Sequence, residues 1–391
     1  MTDPQVLLVT YSTKPRGGVV HTLALAEALH ASGAPVHVLA LGDPAAGFFR
    51  PVAAPVTIVP GPSGDGTLEE KVAGSIDRLA AAIAQMDAPL LHTQDCIAAR
   101  AAARVRDAGA AVTVLRTVHH VDDFSSQVLM DCQRAAILEP DEVLVVSEVW
   151  RRTLEDDYGV RARVVPNGVD IARFAAPDRV RAATLRQQVG AADRPLILAV
   201  GGIEPRKGSD TLVRALAEMK ARRRVAPVLA VIGGHSFQDH RAYREGVLAL
   251  LPELGLGLDD DVALVGTVPD ADIPSWYAAA DVLAFPSVKE GFGLAVLEAM
   301  SAGIPVVTSD LPVFREYLVP GRDALLVEPG SVDGLAAALL TALEDVAVRR
   351  ALAKAGAAVA ARFTWAESAR RHLAIYAALA QAGRSTGAIA H

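Results

Sequence analysis

Residues 282–300 read VLAFPSVKEGFGLAVLEAM, a short apolar run followed by a turn with two glycines and then a leucine- and alanine-rich segment. A run of this length fits a strand buried on both faces, and the segment after the turn fits a helix that covers the sheet. The same strand, turn and helix pattern recurs in both halves of the chain, for example at residues 6–31 and 196–222. The sequence therefore predicts an α/β protein built on parallel sheets.

The length of the chain predicts two domains. It has 391 residues, of which 51% are hydrophobic and 21% are charged, and a chain of this size normally divides rather than building one core. The alternation of strands and helices loosens around Pro166-Asn167-Gly168-Val169-Asp170, where Asn-Gly favours a tight turn. We therefore place a first domain at residues 1–166, a linker at 167–194, a second domain at 195–364, and a terminal helix with a tail at 365–391.

Composition excludes several classes of protein. The net charge of −7 is the wrong sign for binding nucleic acid, and it does not favour peripheral contact with an acidic membrane. The two cysteines, Cys96 and Cys132, are too few for a disulfide framework and match no paired metal-ligand spacing. The first residues lack a basic region before the apolar stretch, and no apolar run is long enough to span a bilayer. These features predict a cytoplasmic protein.

In the predicted first domain, two features lie at the carboxyl ends of strands, where ligands of doubly wound sheets bind. Gly17 and Gly18 open the first helix, so that the backbone can approach a ligand and the helix dipole can attract an anion. A plain tight turn is the alternative interpretation. His119 directly follows the strand at 112–118, and its alternative is a histidine hydrogen-bonded to nearby backbone.

In the predicted second domain, Arg206 and Lys207 lie at a glycine-bracketed helix start. Cations are unfavourable next to the positive end of a helix dipole unless an anion binds nearby, so this pair indicates a phosphate site. A solvated basic pair is the alternative. In the stretch 282–300, Glu290 lies on the turn and Glu298 on the helix, and carboxylates suit the vicinal hydroxyls of sugars and ribose. An ordinary surface charge is the alternative for Glu298.

Taken together, these motifs resemble the retaining glycosyltransferases of family 4, which have the two-domain GT-B fold. The resemblance covers nearly the whole chain in order, and its most specific part runs from Glu290 to Glu298 and on through Gly303-Ile304-Pro305-Val306-Val307. It implies two Rossmann-like doubly wound domains facing each other across a cleft. It also implies that the C-terminal helix containing Trp365 crosses back to the first domain.

The resemblance implies a role for each matching position. The catalytic residues would be His119, which contacts the transferring sugar, Lys207, which neutralises the departing diphosphate, and Glu290, which binds sugar hydroxyls. Glu298 would accept hydrogen bonds from the nucleotide ribose, and backbone N–H groups would approach the donor. The full implied donor-binding set is Gly17, Gly18, Arg206, Lys207, Glu290, Phe292, Gly293, Leu294 and Glu298.

One position departs from the family pattern. Members usually have an arginine directly after the glycine that ends the first strand of the second domain, whereas this chain has Gly202. That arginine normally shares the diphosphate with the lysine. We therefore expect Arg206, next to Lys207, to compensate in part.

The sequence thus predicts a retaining enzyme that moves a sugar from a nucleoside diphosphate-sugar to a hydroxyl or amine of a small-molecule, glycan or lipid acceptor. No metal ion or other cofactor is expected, because Lys207 and helix dipoles can supply the positive charge. Two enzyme alternatives remain on the same architecture, a sugar-nucleotide epimerase and a phosphorylase. A third alternative is a sugar-binding protein without catalysis.

Overall fold

A computed structural model of the chain describes residues 5–62, 64, 66–223, 225–234 and 240–387. The chain forms two compact units. The first contains the residues up to Gly168 and those from Trp365 onward, and the second contains Val169–Thr364. The end of the predicted tail, residues 388–391, lies outside the described residues. In the described part of the chain, no helix is both long and apolar enough to cross a membrane.

The first unit is a parallel sheet with helices on both faces. Its strands are β1 (Val6–Thr10), β2 (Val36–Gly42), β3 (Val56–Pro60), β4 (Leu90–Thr93), β5 (Thr113–Val118), β6 (Glu142–Val145) and β7 (Arg163–Val164). The helices between them are α1 (Gly17–Ala31), α2 (Leu68–Ile83), α3 (Cys96–Asp107), α4 (Gln127–Leu138) and α5 (Glu148–Tyr158). All five residues of β1, VLLVT, are buried, because helices cover both sides of a central parallel strand.

The strand order positions the start of α1. The order is β3-β2-β1-β4-β5-β6-β7, and β1 pairs in parallel with both β2 and β4. The direction of chain progression therefore reverses between β1 and β4. Ligands of doubly wound sheets bind at this kind of switch point, outside the carboxyl ends of the strands. The loop from β1 to Gly17 lies there.

The second unit repeats this plan. Its strands are β8 (Leu196–Val200), β9 (Val228–Ile232), β10 (Val262–Gly266), β11 (Val282–Phe285), β12 (Val306–Ser309) and β13 (Leu325–Val327). Its helices are α6 (Ile171–Ala175), α7 (Arg179–Gln188), α8 (Ser209–Arg222), α9 (Arg241–Glu253), α10 (Ile273–Ala279), α11 (Leu294–Ser301), α12 (Pro312–Arg315), α13 (Val332–Glu344) and α14 (Val346–Ala360). The order β10-β9-β8-β11-β12-β13 puts the switch point between β8 and β11. The loops that follow these two strands carry the motifs at 201–208 and 286–293.

The stretch 167–194, predicted as a linker, differs in the structure. From Val169 onward it belongs to the second unit, because α6 and α7 make specific contacts there. Arg181 on α7 forms an ion pair with Asp272 at 2.6 Å, and Arg186 forms one with Asp281 at 2.8 Å. Two arginines of this charged stretch thus attach α7 to its own unit.

The terminal helix, α15 (Trp365–Gly387), belongs to the first unit, as the predicted return to the first domain requires. Tyr376 is 1% exposed and its hydroxyl lies 2.7 Å from Nδ1 of His92 on β4. The Ser368 hydroxyl donates to the carbonyl of Pro166 at 3.0 Å. The predicted α/β class and doubly wound topology are confirmed.

Candidate functional site

Lys207 lies at the end of a short 3₁₀ helix, Pro205–Lys207, between β8 and α8. Its ammonium nitrogen is 2.8 Å from Oε2 of Glu290 and 4.4 Å from the ring centre of Phe285. The side chains of Lys207 and Glu290 are only 15% and 12% exposed. Burial lowers the pKa of Lys207, and the attraction of Glu290 opposes that shift. The β8 and β11 loops therefore hold a cation and a carboxylate together with little water around them.

Arg206 extends this ion pair. Its Nη1 lies 3.5 Å from the same oxygen of Glu290, and its Nε lies 3.3 Å from a carboxylate oxygen of Glu204. The hydroxyl of Ser287 donates to Glu290 at 3.4 Å. The structure thus brings together Arg206, Lys207 and Glu290, three residues that the sequence analysis selected from two separate segments.

Gly202 follows β8 in a tightly packed position. A Cβ atom there would lie 2.5 Å from the carbonyl oxygen of Gly234 and 3.3 Å from Oε1 of Glu204. Carbon and oxygen atoms that are not bonded do not approach to 2.5 Å, so this backbone has no room for an arginine. The departure from the family pattern therefore has a local steric reason in the backbone that follows β9.

Gly293 sets the start of α11. It has φ +90°, and a Cβ atom on it would lie 2.5 Å from Cε1 of Phe314, so only glycine fits without strain. The Phe292 carbonyl accepts a hydrogen bond from the Tyr317 hydroxyl at 2.8 Å. Among the described residues, no acceptor meets the backbone N–H groups of Phe292, Gly293 and Leu294. These groups and the helix dipole can bind an anion or a hydroxyl oxygen.

Glu298 lies one helical turn further along α11 and has its own partner. Its Oε2 accepts a hydrogen bond from the hydroxyl of Tyr277 at 2.6 Å. Burial raises the pKa of Glu298, and the hydrogen bond from Tyr277 opposes that shift. Sequence reasoning missed Tyr277, because a tyrosine in the alanine-rich segment of α10 has the pattern of a core residue.

In the first unit, Gly17 and Gly18 begin α1, and their N–H groups meet no acceptor in the described part of the chain. A Cβ atom on Gly18 would lie 3.5 Å from Cδ2 of His119, so this imidazole lies against the first turn of the helix. The His119 Nε2 is 3.2 Å from Oε1 of Gln94. The structure thus brings together Gly18 and His119 at the carboxyl ends of β1 and β5.

His119 also belongs to a set of packed histidines. The His21 ring on α1 lies edge-on to it, with ring centres 4.6 Å apart, and Nδ1 of His21 is 2.8 Å from Oδ1 of Asn167. Burial lowers the pKa of His119 well below its ordinary value and lowers that of His21 to about 3. Both rings are therefore neutral near pH 7. Asn167 was predicted only as a turn residue, and its sequence context does not indicate this bond.

Among the described residues, no group of three or more histidine, cysteine, aspartate or glutamate side chains is arranged to hold a metal ion. The polar groups around Glu290 and Glu298 instead include cations, the Ser287 hydroxyl, a phenol and backbone N–H groups. These are donors suited to phosphate oxygens and carboxylates.

Comparison with known proteins identifies the family. The sequence model of the glycosyl transferases of group 1 matches residues 182–359, and that of glycosyltransferase family 4 matches residues 15–173. The phosphatidyl-myo-inositol mannosyltransferase of Mycolicibacterium smegmatis is 30% identical over 385 residues, which cover 96% of this chain and 94% of that protein. The chain belongs to the family 4 glycosyltransferases. The predicted family is thereby confirmed.

Other relatives match over a shorter length. A D-inositol 3-phosphate glycosyltransferase of Kribbella flavida is 35% identical over 243 residues, which cover 60% of this chain. The match spans 56% of that relative, and the next two proteins of the same name are spanned over 57% and 61% of their lengths. The chain thus spans little more than half of several curated relatives that it matches.

Solved structures show that this family 4 member has the GT-B fold. The sucrose-phosphate synthase of Thermosynechococcus elongatus superposes with a TM-score of 0.80 at 25% identity, covering 97% of this chain and all of that chain. An Anabaena protein solved in complex with UDP and glucose gives a TM-score of 0.78 at 22% identity, covering 96% of this chain and 99% of that one. The predicted fold class, two Rossmann-like domains of the GT-B type, is confirmed.

Proposed function

We propose that the chain is a retaining glycosyltransferase that moves a sugar from a nucleoside diphosphate-sugar to a hydroxyl or amine of an acceptor. The observation that best supports this is the buried pair of Lys207 and Glu290. Glu290 lies two residues before Phe292, which carries the first of the three backbone N–H groups at the start of α11. The pair offers a cation for a departing diphosphate and a carboxylate for sugar hydroxyls within 2.8 Å of each other. Membership of family 4 supports the same reaction.

The diphosphate, the ribose and the transferring sugar of the donor each have an assigned partner. Lys207, aided by Arg206, binds the diphosphate, and Glu298 accepts hydrogen bonds from the ribose. Glu290 accepts hydrogen bonds from the transferring sugar. A diphosphate competes with Glu290 for the ammonium of Lys207, so donor binding releases a carboxylate oxygen for the sugar hydroxyls. The N–H groups of Phe292, Gly293 and Leu294 donate to oxygen atoms of the same ligand.

The residues of the first unit act on the transferring sugar. Gly17 and Gly18 approach the donor through their backbone N–H groups. His119 contacts the sugar as a neutral imidazole, and its backbone carbonyl stabilises positive charge at the anomeric carbon.

The transfer itself needs no protein nucleophile. The bond from the anomeric carbon to the diphosphate oxygen breaks as a bond from the acceptor oxygen or nitrogen forms on the same face. The acceptor proton passes to the departing phosphate. Positioning of both substrates and neutralisation of the diphosphate by Lys207 supply the catalysis.

For the acceptor, we propose a sugar, polyol or glycolipid, since two relatives are named for action on inositol 3-phosphate and phosphatidyl-myo-inositol. No metal cofactor is part of the proposal, because Lys207 and Arg206 provide the positive charge. The acidic net charge of −7 supports the absence of a nucleic-acid partner, and the two cysteines support a cytoplasmic location.

The proposal is tested by incubating the purified protein with UDP-, GDP- and ADP-sugars and measuring release of the nucleoside diphosphate and of a glycosylated acceptor. Lys207→Met and Glu290→Gln are each expected to lower kcat/KM at least about tenfold, because each removes a charged hydrogen-bonding group. Lys354→Met removes the same charge from an exposed position of α14 and is the matched control. Binding of free sugars without binding of any nucleotide would contradict the proposal and favour a sugar-binding protein.

A further inference from the structure

The side chain of Glu298 is held by a tyrosine on another helix, Tyr277 of α10. None of the ligand-binding residues described above holds it. The Tyr277 hydroxyl donates to Oε2 of Glu298 at 2.6 Å, a short distance typical of a hydrogen bond to a charged carboxylate. Tyr277 is fully buried, whereas Glu298 is partly exposed. Among the described residues, no donor meets Oε1 of Glu298. One carboxylate oxygen is thus fixed by the protein and the other can accept from a ligand.

Tyr277 is itself held in place. Its ring packs edge-on against Phe174 of α6, with ring centres 5.5 Å apart. The neighbouring Arg173 forms an ion pair with Asp270 at 2.9 Å and donates to the Asp270 carbonyl at 2.6 Å. The positive charge of Arg173 favours the ionised form of Glu298. The helix α6 therefore supports both the position of the phenol and the charge of the carboxylate.

We propose that Tyr277 is a positioning residue that fixes the rotamer of Glu298, so that the site selects ribonucleotides over their deoxyribose analogues. The inference rests on the proposed function, in which Glu298 binds the ribose. A carboxylate fixed on one side loses less conformational entropy when a ribose hydroxyl donates to the other side. A deoxyribose lacks that hydroxyl and leaves a partly buried carboxylate oxygen without a partner, which costs affinity.

The test compares affinities by calorimetry. UDP, GDP and ADP are first titrated into the full-length protein, and the nucleotide that binds best is then compared with its 2′-deoxy and 3′-deoxy forms. The wild-type protein is expected to bind the ribonucleotide roughly tenfold or more tightly than at least one deoxy form. Tyr277→Phe is expected to reduce that ratio about threefold or more, because it weakens ribonucleotide binding and leaves deoxynucleotide binding nearly unchanged.

Three further variants identify what causes a change in the ratio of ribonucleotide to deoxynucleotide affinity. Tyr243→Phe removes another tyrosine hydroxyl from a carboxylate in the same unit, that of Asp210 at 2.8 Å, and should leave the ratio unchanged. Glu298→Gln should also reduce the ratio. The double variant of Tyr277 and Glu298 should be no worse than Glu298→Gln alone, since residues acting through one another are not additive. Tyr277→Phe keeps the ring that packs on Phe174, so the fold is retained.

The binding results separate a failure of the inference about Tyr277 from a failure of the proposed function. If Glu298→Gln reduces the ratio and Tyr277→Phe does not, Tyr277 has only a structural role and the inference is overturned while the proposed function stands. The same holds if Tyr277→Phe lowers affinity for the ribonucleotide and its deoxy forms equally. If no nucleoside diphosphate binds the wild-type protein, the proposed function fails and the inference fails with it.

Discussion

Replacing Gly202 by alanine tests the steric argument for this position. The added Cβ would lie 2.5 Å from the carbonyl oxygen of Gly234, so one backbone segment must move. Hydrogen bonds hold both backbone segments in the sheet. The N–H of Gly201 donates to the carbonyl of Ile232 at 2.8 Å, and the N–H of Gly233 donates to the carbonyl of Gly266 at 2.8 Å. Such overpacking typically lowers the free energy of unfolding by about 1–3 kcal/mol. At roughly 2–4 °C per kcal/mol for a unit of this size, the midpoint of unfolding should fall by about 2–12 °C.

The measurement is thermal unfolding of the full chain, with Gly246→Ala as the control. Gly246 lies inside α9, and a Cβ atom there meets no described atom within 4 Å, so alanine should stabilise the helix by up to about 1 kcal/mol. Gly202→Arg, which restores the residue usual in the family, should destabilise at least as much as alanine. An unchanged midpoint for Gly202→Ala would show that the backbone after β9 yields easily, and the steric reasoning would be wrong.

Three more outcomes are expected. Arg206→Ala should raise the Kd for the donor roughly tenfold, because a hydrogen bond to a charged group contributes about 1.5 kcal/mol; unchanged donor affinity and turnover would show that Arg206 does not compensate at Gly202. Asn167→Ala should lower the free energy of unfolding by about 1–3 kcal/mol, since buried Nδ1 of His21 loses its partner, and denaturant titration would measure it. We also expect the folded protein to lose stability in acid, because burial lowers the pKa of His21 to about 3 and that of His372 to about 4. The unfolded chain therefore binds more protons below about pH 6.5, and stability should fall as pH drops from 6.5 toward 4, by up to about 1.4 kcal/mol per pH unit for each histidine. His372→Gln should flatten that profile, and an equally steep profile would assign the loss to other groups.

The order of strands and helices could be predicted because it depends on local composition. Central parallel strands are covered on both faces, so β1 and β11 are short runs of apolar residues, and the glycine turns mark where each helix begins. The stretch 167–194 was harder, since charged helices such as α7 have the composition of a solvated linker. The ion pairs of Arg181 and Arg186, together with the packing of α7 against α10, show to which unit the helix belongs.

The candidate site could be predicted where its residues lie close together in sequence. Glu290 and Glu298 were found because they share one loop and one helix, and Lys207 because it follows a strand in a glycine-rich turn. Their partners could not be found this way. Tyr277 meets Glu298 through the packing of α10 on neighbouring elements, and Asn167 reaches His21 from 146 residues away. Contacts of this kind arise from tertiary structure, and they produce no characteristic residue spacing that could be recognised in the sequence.

The place of α15 in the first unit bears on the order in which the chain acquires its structure during synthesis. Domains generally fold as units while the chain emerges from its N-terminus. Here the first unit lacks Tyr376, the partner of His92, until the whole second unit has been translated. The second unit, a continuous segment, can complete its sheet beforehand. The first unit therefore begins to be synthesised first but is completed last. Until α15 has been translated, the first unit exposes the apolar surface that this helix covers.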